Sequence, residues 1–168
     1  MKLLLENWRR YNENKEDKEK TTIPTLEKMI SFLMDNPDQE IYLDSPKGSK
    51  KGFGGKKKKK LPFDYGEYPD FINPADSMGW DLIIVPSHEP RKDDENNKQD
   101  KSSFSFLPEE DTPLLPVGYV QYVKEREDKV GNDKIIVAPN GSITSGDIST
   151  IEEFFSKLDD FDLVVWHK

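Results

Sequence analysis

The sequence predicts an α+β fold, a small antiparallel, OB-like β-barrel flanked by helices, and three observations carry that prediction. Short apolar runs at Leu82 to Val85, Val117 to Val123, Ile135 to Ala138 and Leu163 to Trp166 have strand length and lie between turn or charge signals. Two further stretches, at 25–36 and 147–158, repeat apolar residues at helical spacing. At 168 residues the chain fits one domain with one core, so these strands and helices must share it.

In chain order, Leu4, Leu5, Trp8 and Tyr11 recur at a spacing of three to four residues and predict a helix, which gives way to the polar run Asn12 to Lys20. Leu26, Met29, Ile30 and Leu33 share one face of a second helix, with Pro24 near its start and Asn36-Pro37 stopping it. Residues 1–38 are therefore expected to form an N-terminal helical extension whose second helix docks on a main domain of residues 39–168. Glu40 to Leu43 reads as a strand. Pro46 to Lys60 is rich in glycine and lysine, with Phe53 almost its only apolar residue, and is expected as a hairpin tip or mobile loop. Leu82 to Val85 is apolar without alternation, as in a strand covered on both faces. Residues 88–113 lack periodicity and read as a polar, mobile insertion pinned at its end by Phe104 and Phe106. Pro139-Asn140-Gly141 marks a turn, and Asp147 or Ser149 can cap a helix that turns Ile151, Phe154, Phe155 and Leu158 inward. Trp80 and Trp166 read as core residues.

Composition narrows the function classes. There is no cysteine, which excludes a disulfide framework and thiolate metal sites and fits a cytoplasmic setting. The apolar run Leu3 to Leu5 is broken at once by Glu6 and Arg9-Arg10, too short for a membrane span, so a soluble protein without membrane contact is expected. The net charge is −8, yet residues 47–60 contain eight lysines and no acid, which leaves the rest of the chain at −16. Such segregation argues against general nucleic-acid binding and suits a site that joins cations, carboxylates and a phosphorylated small molecule. The oligomeric state is left open, a homo-oligomer included.

Hydrolysis of a phosphoanhydride needs divalent cations to neutralise the substrate and acidify a water, and hard cations such as Mg²⁺ select carboxylate oxygens. Asp76 and Asp81 lie five residues apart across a turn containing Gly79, just before an apolar strand, and could converge on one ion. Spacing alone favours the plainer reading in which Asp76 caps a turn and Asp81 is an exposed strand end. The Lys56 to Lys60 run lacks the order of a nucleotide-binding loop and reads as a solvated strip or a polyanion contact. His88 and His167 are too few and too far apart for a histidine metal site.

Several blocks carry a resemblance. Pro62-Phe-Asp-Tyr65-Gly66, Asp76-x4-Asp81-Leu-Ile-Ile-Val-Pro86, Leu115-Pro-Val-Gly118-Tyr-Val, Asn132-Asp133-Lys134-Ile-Ile-Val-Ala-Pro139, and Ile151-Glu-Glu-Phe154-Phe155 with Trp166-His-Lys168 follow one another over residues 61–168. In order and approximate spacing they resemble the family I soluble inorganic pyrophosphatases. The resemblance implies Mg²⁺-dependent hydrolysis of inorganic pyrophosphate, or a related phosphoanhydride, by a metal-activated water. It implies Asp76 and Asp81 as metal ligands, joined by Asp133 (or Asn132, one residue away) and by one of Glu125, Glu127 and Asp128, of which Asp128 is favoured. Lys134 and Tyr65 would bind and polarise phosphate beside Asp81. No arginine lies between Arg10 and Arg91, so lysines of the strip, Lys58 and Lys60, would replace the family's upstream phosphate clamp as point charges. Met78 falls on the family's middle aspartate, and Leu158 and Asp159 on its late tyrosine and lysine, which implies reduced turnover or a phosphate-binding or structural module.

Overall fold

A computed structural model describes residues 19–51, 58–85, 104–122, 133–158 and 161–167. Helix α1, Leu26–Asp35, begins where the Thr25 hydroxyl accepts the Lys28 N–H at 3.2 Å, and it ends as the Asn36 N–H returns to the Phe32 carbonyl. Its helical spacing places Met29 and Leu33 on one face, where both are buried. Helix α2, Ser145–Ser156, starts two residues before the expected cap. Thr144 is the cap, accepting the Asp147 N–H while its hydroxyl donates to the Asp147 carboxylate, and Asp147 lies within the first turn.

The strands are β1 (Thr21–Thr22), β2 (Ile41–Ser45), β3 (Lys50–Lys51), β4 (Lys59–Lys60), β5 (Asp64–Asn73), β6 (Met78–Ile84), β7 (Phe104–Phe106), β8 (Leu114–Tyr122), β9 (Lys134–Pro139) and β10 (Phe161–Trp166). Among the described residues, the main sheet runs β10-β8-β9-β6-β5-β2-β7, with β1 added beside β5, while β3 and β4 form a separate ribbon. The expected mixture of sheet and helices is present, but the expected closed antiparallel barrel is not. β6 and β9 run parallel, and the two ends of the strand path, β7 and β10, do not pair with each other. The cause is the return of the chain, through β7 and β8, to place β9 alongside β6 in the same direction; a parallel neighbour requires such a crossover.

The sheet is covered on both faces. Toward α1, Met29, Leu33, Tyr68, Trp80, Leu82 and Ile84 pack with Ile41 and Ile135, and the Trp80 indole donates to the Ile23 carbonyl at 3.1 Å. Toward α2, Phe63, Tyr65, Ile83 and Ile136 pack with Ile151, Phe154, Phe155 and Leu158. This two-sided cover explains the unbroken apolar run on β6: Ile83 serves one core, and Leu82 and Ile84 the other. The segment preceding residue 38 thus supplies α1 to the main core. The expected helix before residue 18, and residues 88–103 of the expected insertion, lie outside the described residues; β7 and the Glu109–Thr112 bridge lie within the insertion's remainder. No described helix is long and apolar enough to cross a membrane.

Candidate functional site

Strand pairing builds the site on the α2 face. Glu67 of β5 stands directly opposite Asp81 of β6, and Lys134 opens β9, the strand on the other side of β6. Because side chains alternate along a strand, Tyr65 and Glu67, Asp81 and Ile83, and Lys134 and Ile136 share this face. The Lys134 ammonium donates to Asp81 Oδ2 at 2.8 Å, with the lysine side chain 4% exposed and the aspartate 21%. A lysine that deep is tolerable only when paired. On the other flank Asp44 sits at a register shift in β2, where a bulge re-aims side chains, and accepts the Lys51 ammonium at 2.9 Å.

The Tyr65 ring is close to both lysines. The Lys51 ammonium is 4.5 Å from its ring centroid and that of Lys134 is 5.3 Å, both within cation–π reach. Across the strands this gives Lys51, Asp44, Glu67, Asp81 and Lys134: two ion pairs with an acid between them. Gly79 makes room for that acid. A Cβ there would lie 2.6 Å from the Tyr68 carbonyl and 3.1 Å from Glu67 Oε2, so the glycine lets the glutamate carboxylate rest over β6. Burial, then the charges of Asp81 and Asp44, raise the Glu67 pKa, with Lys20 pulling the other way and Asp76 adding a smaller push. Burial also pushes Asp44 up, but hydrogen bonds from Lys51 and Ser45, with the Lys51 charge, outweigh it and hold that carboxyl below its ordinary value.

Not all the residues expected from the sequence meet here. Asp81, Lys134 and Tyr65 do. Asp76 sits exposed in the β5–β6 turn, its Oδ1 accepting the Met78 N–H at 2.9 Å, so it caps that turn while bearing electrostatically on Glu67. Asp133 faces away: it lines a cleft of about 450 Å³ with Trp80 and the N-terminal residues of α1, on the other side of the sheet. The physical reason is parity, since Asp133 immediately precedes Lys134 and neighbours in an extended chain point oppositely. Asp128 and Asn132 lie outside the described residues. Lys58 and Lys60 are exposed; among the described residues of the strip, Lys51 reaches Tyr65, while Lys59 donates to the Lys157 carbonyl at the end of α2. Leu158 is buried in the α2 core, and Met78 is 60% exposed.

Asp44 and Lys51 were missed as individual residues, and the pairing of Glu67 with Asp81 was not foreseen, although the alternation of Ile41 and Leu43 with Tyr42 and Asp44 could have put Asp44 on the opposite side of β2 from its apolar residues. Among the described residues no three His, Asp or Glu side chains are placed to enclose a metal ion. The donor set is two facing carboxylates, Glu67 and Asp81, with one already held by lysine. That fits Mg²⁺ arriving with substrate phosphates, which uses one or two protein carboxylates, and does not fit an all-protein cage. No family model matches the chain, and no curated protein and no solved structure matches it.

Proposed function

We propose that the chain hydrolyses a phosphoanhydride, inorganic pyrophosphate or a related compound, with Mg²⁺ held between Glu67, Asp81 and the substrate's own phosphates. The observation that carries this reading is the Tyr65 ring with the Lys51 and Lys134 ammonium groups at 4.5 and 5.3 Å, beside the facing acids Glu67 and Asp81. Two cations and a phenol form a seat for a phosphate, and the adjoining carboxylates supply oxygens to a hard cation. The ion, when bound, neutralises phosphate charge and acidifies water. Lys134, held in place by Asp81, then meets negative charge that grows in the transition state, and Lys51 does the same from the β2 flank. This reading extends the pyrophosphatase resemblance, with Lys51 in the place first given to Lys58 and Lys60, and it takes the cytoplasm as the setting.

The test is phosphate release from pyrophosphate against nucleoside triphosphates, with and without Mg²⁺. Release that requires Mg²⁺ is expected, and Lys51→Gln is expected to lower kcat/KM on the order of 10²-fold, as for loss of one preorganised electrostatic contact. Release unchanged by that substitution would remove Lys51 from the site. A second reading, a phosphate-binding or structural module of weakened activity, is favoured by Met78 and Leu158, two apolar side chains where the resemblance implies an acid and a tyrosine. Its outcome in the same assay is little or no Mg²⁺-dependent release.

A further inference from the structure

The β3–β4 ribbon contains two cross-strand lysine pairs, and its two faces use them differently. Lys51 pairs with Lys59, and both are engaged by the protein: Lys51 by Asp44 and Tyr65, Lys59 by the carbonyl of Lys157. Lys50 is directly opposite Lys60, both are exposed, and neither has an acidic partner among the described residues. Like charges placed opposite each other in a ladder repel, and two residues per strand offer little pairing to offset that. The arrangement is held from its base. Gly48 donates to the Leu61 carbonyl and Leu61 to the Ser49 carbonyl, each at 2.8 Å, and the Lys47 N–H donates at 2.7 Å to Asp64, which is 2% exposed. With φ at +85°, Gly48 makes the turn that starts the ribbon. A buried carboxylate and a left-handed turn thus hold two exposed cations, without an acidic partner among the described residues, next to the Tyr65 seat.

Resting on the phosphoanhydride reading of that seat, we propose that Lys50 and Lys60 bind the distal phosphates of a linear chain of three or more phosphates whose terminal anhydride lies at Tyr65. Lys50 adjoins Lys51 and Lys60 adjoins Lys59, so about 3.3 Å along a strand and about 4.8 Å between strands separate the backbones of the seat lysines from those of the outward pair. That footprint matches a few consecutive phosphates, which can pass from the inner face of the ribbon around its edge to the outer one. It is too small to track a nucleic-acid backbone, and the remainder of the chain, at −16, repels a long polyanion. A free inorganic chain and the tail of a nucleoside triphosphate present the same chemistry to it.

Calorimetric titration of the full chain in EDTA, where turnover is suppressed, tests this with pyrophosphate, inorganic tripolyphosphate, ATP and a short single-stranded oligonucleotide. Wild type is expected to bind tripolyphosphate about tenfold more tightly than pyrophosphate, and in Lys50→Gln/Lys60→Gln that ratio is expected to fall to about twofold or less. ATP binding as tightly as tripolyphosphate identifies a nucleotide tail as an acceptable source; much weaker ATP binding identifies the free chain. No tripolyphosphate binding, equal affinity for the two inorganic anions, or a ratio that survives the double substitution overturns the proposal. Tighter binding of the oligonucleotide, phosphate for phosphate, also overturns it and makes the ribbon a nucleic-acid contact. Both lysines are exposed, and removing their mutual repulsion cannot unfold the ribbon's base. A length preference lost in the variant, with no phosphate release in Mg²⁺, leaves the binding inference standing and removes the hydrolytic reading; release from pyrophosphate without a length preference does the reverse.

Discussion

Asp81 has two roles that pull on the same carboxylate. It faces Glu67 where a cation and phosphates would gather, and it is the counterion of Lys134, a lysine whose side chain is 4% exposed. A strand-end ligand with no other duty could be neutralised without harm to the fold, but the ion pair changes that. Asp81→Asn leaves a buried ammonium short of its partner, and breaking such a pair costs about 3 kcal/mol, the low end of the range because the aspartate is partly exposed. Adding Lys134→Met is expected to recover most of that loss in urea unfolding; an Asp81→Asn midpoint equal to wild type would show that Lys134 is held some other way. Glu67 offers a different signature. Burial first, and then Asp81 and Asp44, raise its pKa over the opposing pull of Lys20, so the folded state holds this proton more tightly than the unfolded chain does. Its stabilising contribution is complete below the ordinary glutamate pKa and is lost as pH rises through the raised folded value. Glu67→Gln should therefore melt above wild type at about pH 8, with the difference shrinking or reversing toward about pH 4. Parallel melting curves across that interval would mean that Glu67 is neither desolvated nor crowded by its neighbours.

At the scale of elements, what the sequence disclosed depended on whether the signal was local. The lysine-bearing start of β9, the apolar β6 strand and the inward faces of both helices follow from runs of four to twelve residues, and the structure has them. The turn at Asp76 could be read either way, and the carboxylate caps it. Asp133 fell to a one-residue ambiguity. In a period of two, a slip of one residue moves a side chain through the sheet, and only the position of Lys134 against Asp81 decides the parity. The grouping of Asp44, Lys51 and Glu67 at one site was illegible for a further reason. The pairs Asp44–Lys51, Glu67–Asp81 and Lys134–Asp81 join residues 7, 14 and 53 apart in sequence, brought together by strand pairing and not by any repeat along one element. The register shift at Asp44 and the opening at Gly79 that admits Glu67 are likewise properties of paired strands. The closed barrel failed as an expectation because strand count and spacing do not report direction, and a single parallel pairing, β6 with β9, gives the sheet a different path.

For the whole molecule, the issue is whether α1 belongs to the fold or merely rests on it. A chain of this size has little apolar surface to spare, and the sheet divides what it has into two cores that share the strands β5, β6, β8 and β9. Met29 is wholly buried on the α1 side, against a core that includes Trp80 and Leu82. Leu82 precedes Ile83, which packs on the opposite side, so loosening one face moves the backbone that supports the other. Met29→Ala should then cost about 2–5 kcal/mol, as for a buried methionine cut to alanine, and the loss should be global. Native-state hydrogen exchange can read its extent. The amides of β6, β8 and β9 are expected to lose protection by the same free energy as those of α1 and β2, and unfolding followed by tryptophan fluorescence and by far-UV circular dichroism should remain coincident. Loss confined to α1 and β2, with β8 and β9 untouched, would make the N-terminal helix a detachable extension. The site on the α2 face, built on β5, β6 and β9 with Asp44 from β2, would then keep its β5, β6 and β9 residues without α1. Uniform loss instead makes that site depend on a helix packed in the opposite core, because the strands that carry Tyr65, Asp81 and Lys134 are the wall between the two cores.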